Sequence, residues 1–92
     1  METYVLCDQV SEGLRPSEVT VAVKSIKGQS EFLRLSASNL LTKGDRKYLA
    51  VGVVHVDPAS GAYLIEFPHE ADSGAKRIWV PRGSIVTDKV PA

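Results

Sequence analysis

Short β-forming runs separated by turn residues are the feature that most constrains how this chain can fold. Runs rich in Val, Ile, Leu and Tyr recur along the 92 residues, and clusters of Gly, Pro, Ser, Asp and Asn separate them. This spacing is typical of an all-β chain. No internal repeat or linker divides the sequence. We therefore expect residues 1–92 to form a single small β-barrel domain of five to six short antiparallel strands, with residues 88–92 as a frayed tail.

Alternation of apolar and polar side chains marks the strands to different degrees. It is clearest in the second and third runs, where Val19, Val21 and Val23 share one face and Leu33 and Leu35 are expected to face the core. The predicted strands are Tyr4–Val10, Val19–Ile26, Ser30–Ser36, Tyr48–Val56, Ala62–Phe67 and Lys76–Val80, with Ile85–Thr87 as a further short one.

The best-marked turn is Asp57–Gly61, because a proline fits its first central position and a glycine its left-handed exit. It predicts an antiparallel hairpin of the flanking strands, in which Ile65 is buried. Gly52 predicts a bend or bulge of the kind that closes a small barrel. A single helical or 3-10 turn is expected near residues 38–41, with Ser38 as its cap.

One part of the chain resembles a known architecture. From Gly44 to Val86, the string GDRKYLAVGVVHVDPASGAYLIEFP followed by RIWVPRGSIV is similar to small barrels of the Src-homology-3-like (SH3-like) or Tudor type. The likeness is an order of strands that ends in a Pro-containing turn before a short terminal strand. It implies an SH3-like fold, although the paired aromatic residues of a groove for Pro-rich peptides are missing.

Charge and cysteine content narrow the class of protein. Eleven Lys and Arg residues balance eleven Asp and Glu residues, so no overall field attracts the chain to nucleic acid or to an anionic membrane. Cys7 is the only cysteine, which excludes an intramolecular disulfide and favours a reducing compartment. The first ten residues lack a secretory signal, and Leu49–Val54 is far shorter than the roughly 20 apolar residues that span a bilayer. We expect a soluble, cytoplasmic protein without a membrane partner.

No catalytic, metal or cofactor site is indicated. His55 with Asp57, and His69 with two nearby acidic residues, are residue types that bind Zn²⁺ or Mn²⁺. In the predicted hairpin, however, His55 opposes Leu64 and His69 lies about 17 Å away along the strand. No serine lies in a nucleophile elbow, the glycines form no phosphate-binding loop, and Cys7 is interpreted as a small buried hydrophobe. We expect no enzyme activity, no metal and no cofactor.

The only tryptophan lies in the most informative segment of the chain. If Ile78 and Val80 face the core, strand alternation turns Trp79 outward. Arg77 is then its neighbour on the strand, and Arg82, just after the strand, is a second candidate neighbour. An exposed tryptophan flanked by arginines can stack on a base, on a Pro-rich peptide or on another subunit. The alternative interpretation is that the indole covers one end of the barrel while the arginines are solvated.

A second basic cluster consists of Lys43, Arg46 and Lys47, which Asp45 interrupts. A charged turn is the commoner explanation for such a cluster. Together with the arginines around the tryptophan it would make one basic face of a barrel, but the sequence alone does not place the two groups side by side.

These features lead to three hypotheses of function. The first is a non-enzymatic interaction module whose Trp79 surface binds a protein partner or a second copy of the chain as a dimer, which the balanced charge favours. The second is a nucleic-acid-binding barrel that stacks a base on Trp79 and uses the basic residues for the backbone. A small hydrolase or metal-dependent enzyme ranks last.

Overall fold

The computed structural model describes residues 2–88, which form an all-β structure as predicted. Two short 3-10 turns, at Ala37–Asn39 and Arg82–Ser84, are the helical elements within this range. No helix among these residues has the length and apolarity needed to cross a membrane. The strands are β1 (Glu2–Leu6), β2 (Gln9–Glu12), β3 (Glu18–Lys24), β4 (Ser30–Ser36), β5 (Leu40–Lys43), β6 (Arg46–Val56), β7 (Tyr63–Glu66), β8 (Arg77–Val80) and β9 (Ile85–Asp88).

The long strand β6 organises the larger of two antiparallel sheets. Its first half pairs with β1 and with β5, so that Leu49 lies opposite both Val5 and Leu40. Its second half pairs with β7, in the hairpin that the Asp57–Gly61 turn predicts. The strand order is β8-β7-β6-β1-β9, with β5 also paired to β6. Thus β7 and β1 lie on opposite edges of β6.

The smaller sheet has the order β2-β3-β4. Its central hairpin pairs Val21 with Leu33 and turns at Gly28, whose φ of 83° lies in the left-handed region that glycine adopts without strain. Leu33 and Leu35 are buried, which confirms the inward face predicted for β4.

Both sheets contribute to one hydrophobic core. Ile65 has no exposed side-chain area, as the predicted hairpin requires. The buried residues of this cluster are Val5, Cys7, Val21, Val23, Leu33, Leu35, Leu49, Ile65, Phe67, Ala71 and Val80.

The two sheets do not close into the barrel that the sequence predicts. The chain crosses from one sheet to the other after Leu6, where the Asp8 N–H donates to the Ala22 carbonyl at 2.7 Å. On the β8 side, the Ile26 N–H donates to the Trp79 carbonyl at 2.8 Å. Because β3 ends at Lys24, this hydrogen bond joins the sheets without adding a continuous strand pair between them.

The first strand was predicted wrongly as one run from Tyr4 to Val10. It is divided at Cys7 and Asp8, so that β1 pairs within the larger sheet and β2 within the smaller one. The division lets each half satisfy its backbone hydrogen bonds with a different sheet. At the other end, Asp88 belongs to β9 rather than to a tail, and residues 89–92 lie outside the described residues.

Two smaller predictions also need correction. The 3-10 turn occupies Ala37–Asn39 and its cap is Ser36, whose hydroxyl oxygen accepts from the Ser38 N–H. The bulge lies between Val53 and His55 rather than at Gly52. It lets the β6 residues beyond the bulge keep their pairing with β7.

Candidate functional site

Trp79 lies on the outer face of the β6-β7-β8 sheet, as strand alternation predicts. Its neighbour Val80 is fully buried and Ile78 packs against the core, whereas Trp79 does not belong to the core cluster. The residue is 36% exposed, so most of its surface is covered by neighbouring side chains. It is therefore a partly covered surface residue, held in place by the pairing of β8 with β7.

The register of three strands brings His55 to Trp79. Leu64 on β7 lies opposite His55 on β6, as predicted, and opposite Trp79 on β8. The two rings flank this leucine and meet edge to face, with centroids 6.1 Å apart and an interplanar angle of 88°. Edge-to-face contact is a favoured arrangement of aromatic rings, so the imidazole supports the orientation of the indole.

A cavity of about 440 Å³ opens beside this ring pair. Ile26 and Trp79 also line a second, smaller cavity of about 180 Å³, so the two side chains stand between two neighbouring depressions. Ile26 is one of the exposed large apolar side chains. The larger cavity is lined by Ile26, His55, Asp57, Ser60, Ala62 and Trp79.

The rim of the larger cavity is fixed by the Asp57–Gly61 turn. The Asp57 carboxylate accepts hydrogen bonds from the Ala59 N–H at 3.1 Å and from the Ser60 hydroxyl at 2.7 Å. The Ser60 hydrogen bond, followed by that from Ala59, lowers the pKa of the Asp57 carboxyl below its ordinary value. The rim therefore carries a negative charge at neutral pH.

The two arginines near the tryptophan have different surroundings. The Arg77 guanidinium donates through Nε to Glu66 Oε1 at 2.9 Å, so its charge is paired across β7 and β8. Arg82 lies over the turn, because a Cβ on Gly61 would be 3.5 Å from Arg82 Cδ. The aliphatic stem of Arg82 thus covers the same turn that carries Asp57.

The second basic cluster lies at the opposite end of β6. Lys43 pairs in register with Arg46 where β5 turns into β6, and Lys47 Nζ donates to Thr42 Oγ1 at 2.7 Å. Arg46 and His55 lie nine positions apart along β6, which corresponds to roughly 30 Å of extended strand. The structure does not bring Lys43, Arg46 and Lys47 together with Trp79 into one basic face.

The residues considered for metal binding or nucleophilic chemistry have other neighbours. His69 Nδ1 lies 2.9 Å from the Glu70 carbonyl oxygen. Within residues 2–88, no three His, Cys, Asp or Glu side chains converge as a metal site would require. Cys7 is buried, and burial raises the pKa of its thiol to about 11.

Sequence reasoning missed two residues of the Trp79 surface. Ile26 was assigned to the end of a strand, yet it lies beyond β3 and meets Trp79 from the other sheet. His55 was considered only as a metal ligand. The Asp57–Gly61 turn predicts that His55 lies opposite Leu64. The contact between His55 and Trp79 depends also on the register between β7 and β8.

Comparison of the chain with protein-family models, with curated proteins and with solved structures gives no significant match.

Proposed function

We propose that this protein is a non-enzymatic interaction module that binds an extended segment of a partner protein across Trp79 and Ile26. The observation that carries the proposal is the pair of adjoining cavities, of about 440 and 180 Å³, that share these two side chains as a common wall. Paired depressions around an aromatic side chain suit successive apolar side chains of a polypeptide. Tryptophan is among the residues that most often dominate binding energy once water is excluded.

Charge around the cavities supports a protein ligand over nucleic acid. The Asp57 carboxylate stays ionised on the rim, and Glu31 lines the smaller cavity beside Lys27. Arg77 is paired with Glu66. A phosphate backbone needs several cations in one groove, whereas this surface carries both signs.

The proposal also includes an SH3-like fold and a cytoplasmic location. An SH3-like relationship is supported by the strand order and by the hydrogen bond from Ile26 to Trp79, which brings the sheets together beside β8. A cytoplasmic location is supported by the single cysteine, because a buried free thiol suits a reducing compartment.

Selection from a random-peptide display library tests the proposal, with purified protein as bait and Trp79→Ala as the counter-selected variant. We expect peptides that bind the unmodified protein and lose about 2 kcal/mol of binding free energy, roughly 30-fold in Kd, against Trp79→Ala. The variant should lose no more than about 1–2 kcal/mol of stability to urea, because the indole is partly covered but lies outside the core.

Phe32→Ala is the matched control, since Phe32 is an aromatic residue of similar exposure on the smaller sheet. It should leave peptide binding unchanged. Two results would overturn the proposal. One is a Trp79→Ala variant that loses several kcal/mol of stability while binding is unaltered. The other is salt-sensitive binding of oligo-dT or oligo-U in place of peptides.

A further inference from the structure

The two cavities beside Trp79 differ in the charge of their walls. The larger one, of about 440 Å³, has the Asp57 carboxylate in its wall, and no Lys or Arg of residues 2–88 lines it. The smaller one, of about 180 Å³, is lined by both Lys27 and Glu31. The larger cavity therefore presents negative charge to a ligand, whereas the formal charges in the wall of the smaller cavity cancel.

The turn that forms the rim orients the Asp57 carboxylate without neutralising it. Its two oxygens each accept one hydrogen bond, from the Ala59 N–H and from the Ser60 hydroxyl. A carboxylate has about four acceptor sites, so capacity for a ligand remains. No Lys or Arg in the described part of the chain forms an ion pair with Asp57.

Arg82 packs against this turn through its aliphatic stem and leaves the charge of Asp57 unpaired. Its Cδ would lie 3.5 Å from a Cβ on Gly61. The lowered pKa of Asp57 nevertheless arises from the hydrogen bonds of the turn and, to a smaller extent, from His55, and not from an arginine. The carboxylate is therefore available to a cation from a ligand.

The Trp79 indole gives the same cavity an aromatic wall. Among aromatic side chains, indole attracts cations most strongly. The edge-to-face contact with His55 and the pairing of β8 with β7 hold the ring in place. An oriented carboxylate and an oriented indole in one cavity favour a ligand side chain with an aliphatic stem and a cationic head, as in Lys and Arg.

We infer that the larger cavity binds a Lys or Arg side chain of the partner segment, whose cationic head contacts Trp79 and Asp57. This inference rests on the proposed function and names the chemistry of one ligand side chain. The aliphatic stem packs against Ile26 and Ala62, which line the same cavity. In an extended segment, side chains two residues apart project to the same side, roughly 7 Å from each other. The smaller cavity then binds an apolar side chain two positions from the basic one.

Peptides selected on the unmodified protein test this basic subsite. Among peptides that Trp79→Ala fails to bind, Lys or Arg should be enriched at one position, with an apolar residue two positions away. A synthetic, N-acetylated form of such a peptide should bind at least about tenfold more tightly than its analogue with norleucine at the basic position. Norleucine keeps an aliphatic stem and removes the charge, and acetylation removes the terminal amine as an alternative cation. Trp79 is the only tryptophan, so its fluorescence reports binding at the site.

Asp57→Asn isolates the contribution of the carboxylate, because asparagine is tolerated in the same kind of turn. In this variant the preference for the basic peptide over its norleucine analogue should fall to about threefold or less, with Trp79 supplying the remainder. Asp45→Asn is the matched control, since Asp45 is an exposed aspartate in the turn between β5 and β6, at the opposite end of β6. It removes the same charge and should keep the full preference.

The possible results distinguish the basic subsite from the proposed function. Peptides that need Trp79 but carry no basic residue, or that bind as tightly with norleucine, would overturn the basic subsite and leave the interaction module standing. A preference that Asp57→Asn leaves unchanged, or that Asp45→Asn removes, would do the same. Absence of any peptide that depends on Trp79 would overturn the proposed function and the basic subsite with it.

Discussion

Burial determines the chemistry of Cys7, which packs in the core between the two sheets. Because the thiolate is the reactive form and burial raises the thiol pKa to about 11, alkylation near pH 7.5 should be slow in the folded protein. It should become fast in denaturant. Mass spectrometry after a brief exposure to iodoacetamide checks this, and rapid labelling of the native protein would contradict it.

The raised pKa of Cys7 also predicts a loss of stability at alkaline pH. An unfolded thiol loses its proton near pH 9.0, whereas the folded one keeps it to about pH 11. The contribution is therefore fully present below pH 9 and is lost as the pH rises toward 11, by on the order of 2 kcal/mol. In urea unfolding, the stability advantage of the unmodified protein over Cys7→Ala should shrink across this range. A constant difference would show that the thiol pKa is not raised by folding.

At the scale of residues, the sequence was informative where alternation is regular. The burial of Leu33, Leu35 and Ile65 follows from period-two spacing and was predicted. The contact of Ile26 with Trp79 was not, because these residues belong to different sheets and the sequence carries no signal for how two sheets approach. Alternation therefore predicts which face of a strand is exposed, but it does not predict which residues of the other sheet lie against that face.

The loop between β2 and β3 gives a prediction at the scale of elements. A Cβ on Gly13 would lie 2.7 Å from Glu18 Cγ and 2.8 Å from the Glu18 carbonyl oxygen, which accepts from the Gly13 N–H. Gly13→Ala must therefore displace the loop and should cost about 1–3 kcal/mol of the free energy of unfolding. Urea unfolding measures this cost.

Gly83→Ala is the matched control, because no atom lies within 4 Å of its added Cβ and its backbone is not left-handed. It should change stability by less than about 1 kcal/mol, with a small gain from the lower entropy of the unfolded chain. Equal stability of the two variants would mean that the Gly13 loop relaxes without cost.

Most strands were predicted, whereas β5, which begins where a helical turn was expected, and the ends and irregularities of the other strands were not. The Asp57–Gly61 turn fixed the β6-β7 register, since proline and glycine suit only certain turn positions. The bulge was placed at Gly52, where a glycine marks the strand, but it lies between Val53 and His55, where none does. The 3-10 cap was assigned to Ser38, although Ser36 occupies the preceding extended position. The break at Cys7 was missed because it reflects pairing with two different sheets, which is not a local property.

The shared core predicts how the whole molecule unfolds. Ile65 in the larger sheet and Leu33 in the smaller one are fully buried in the same cluster. Ile65→Ala and Leu33→Ala should each cost about 2–5 kcal/mol. In both variants, Trp79 fluorescence and the amide signals of the smaller sheet should report the same urea midpoint.

Separate midpoints for the two sheets would contradict a shared core. Leu14→Ala serves as the control for side-chain truncation, because Leu14 is 87% exposed. Its effect should stay within about 0.5 kcal/mol.

The larger sheet can form only when distant parts of the chain meet, because β1 pairs with both β6 and β9. Val5 must meet Leu49 on one side and Ile85 on the other before the centre of the larger sheet is complete. Such non-local contacts slow folding, because the entropy of closing a long loop is lost before the contacts form. On the ribosome, β1 emerges before the other described strands, lacks β6 until about residue 56 has been synthesised, and lacks β9 until nearly all of the described chain has been synthesised. The apolar strand is exposed to other chains during that interval, so nascent copies of this protein should depend on the chaperones that cover such segments.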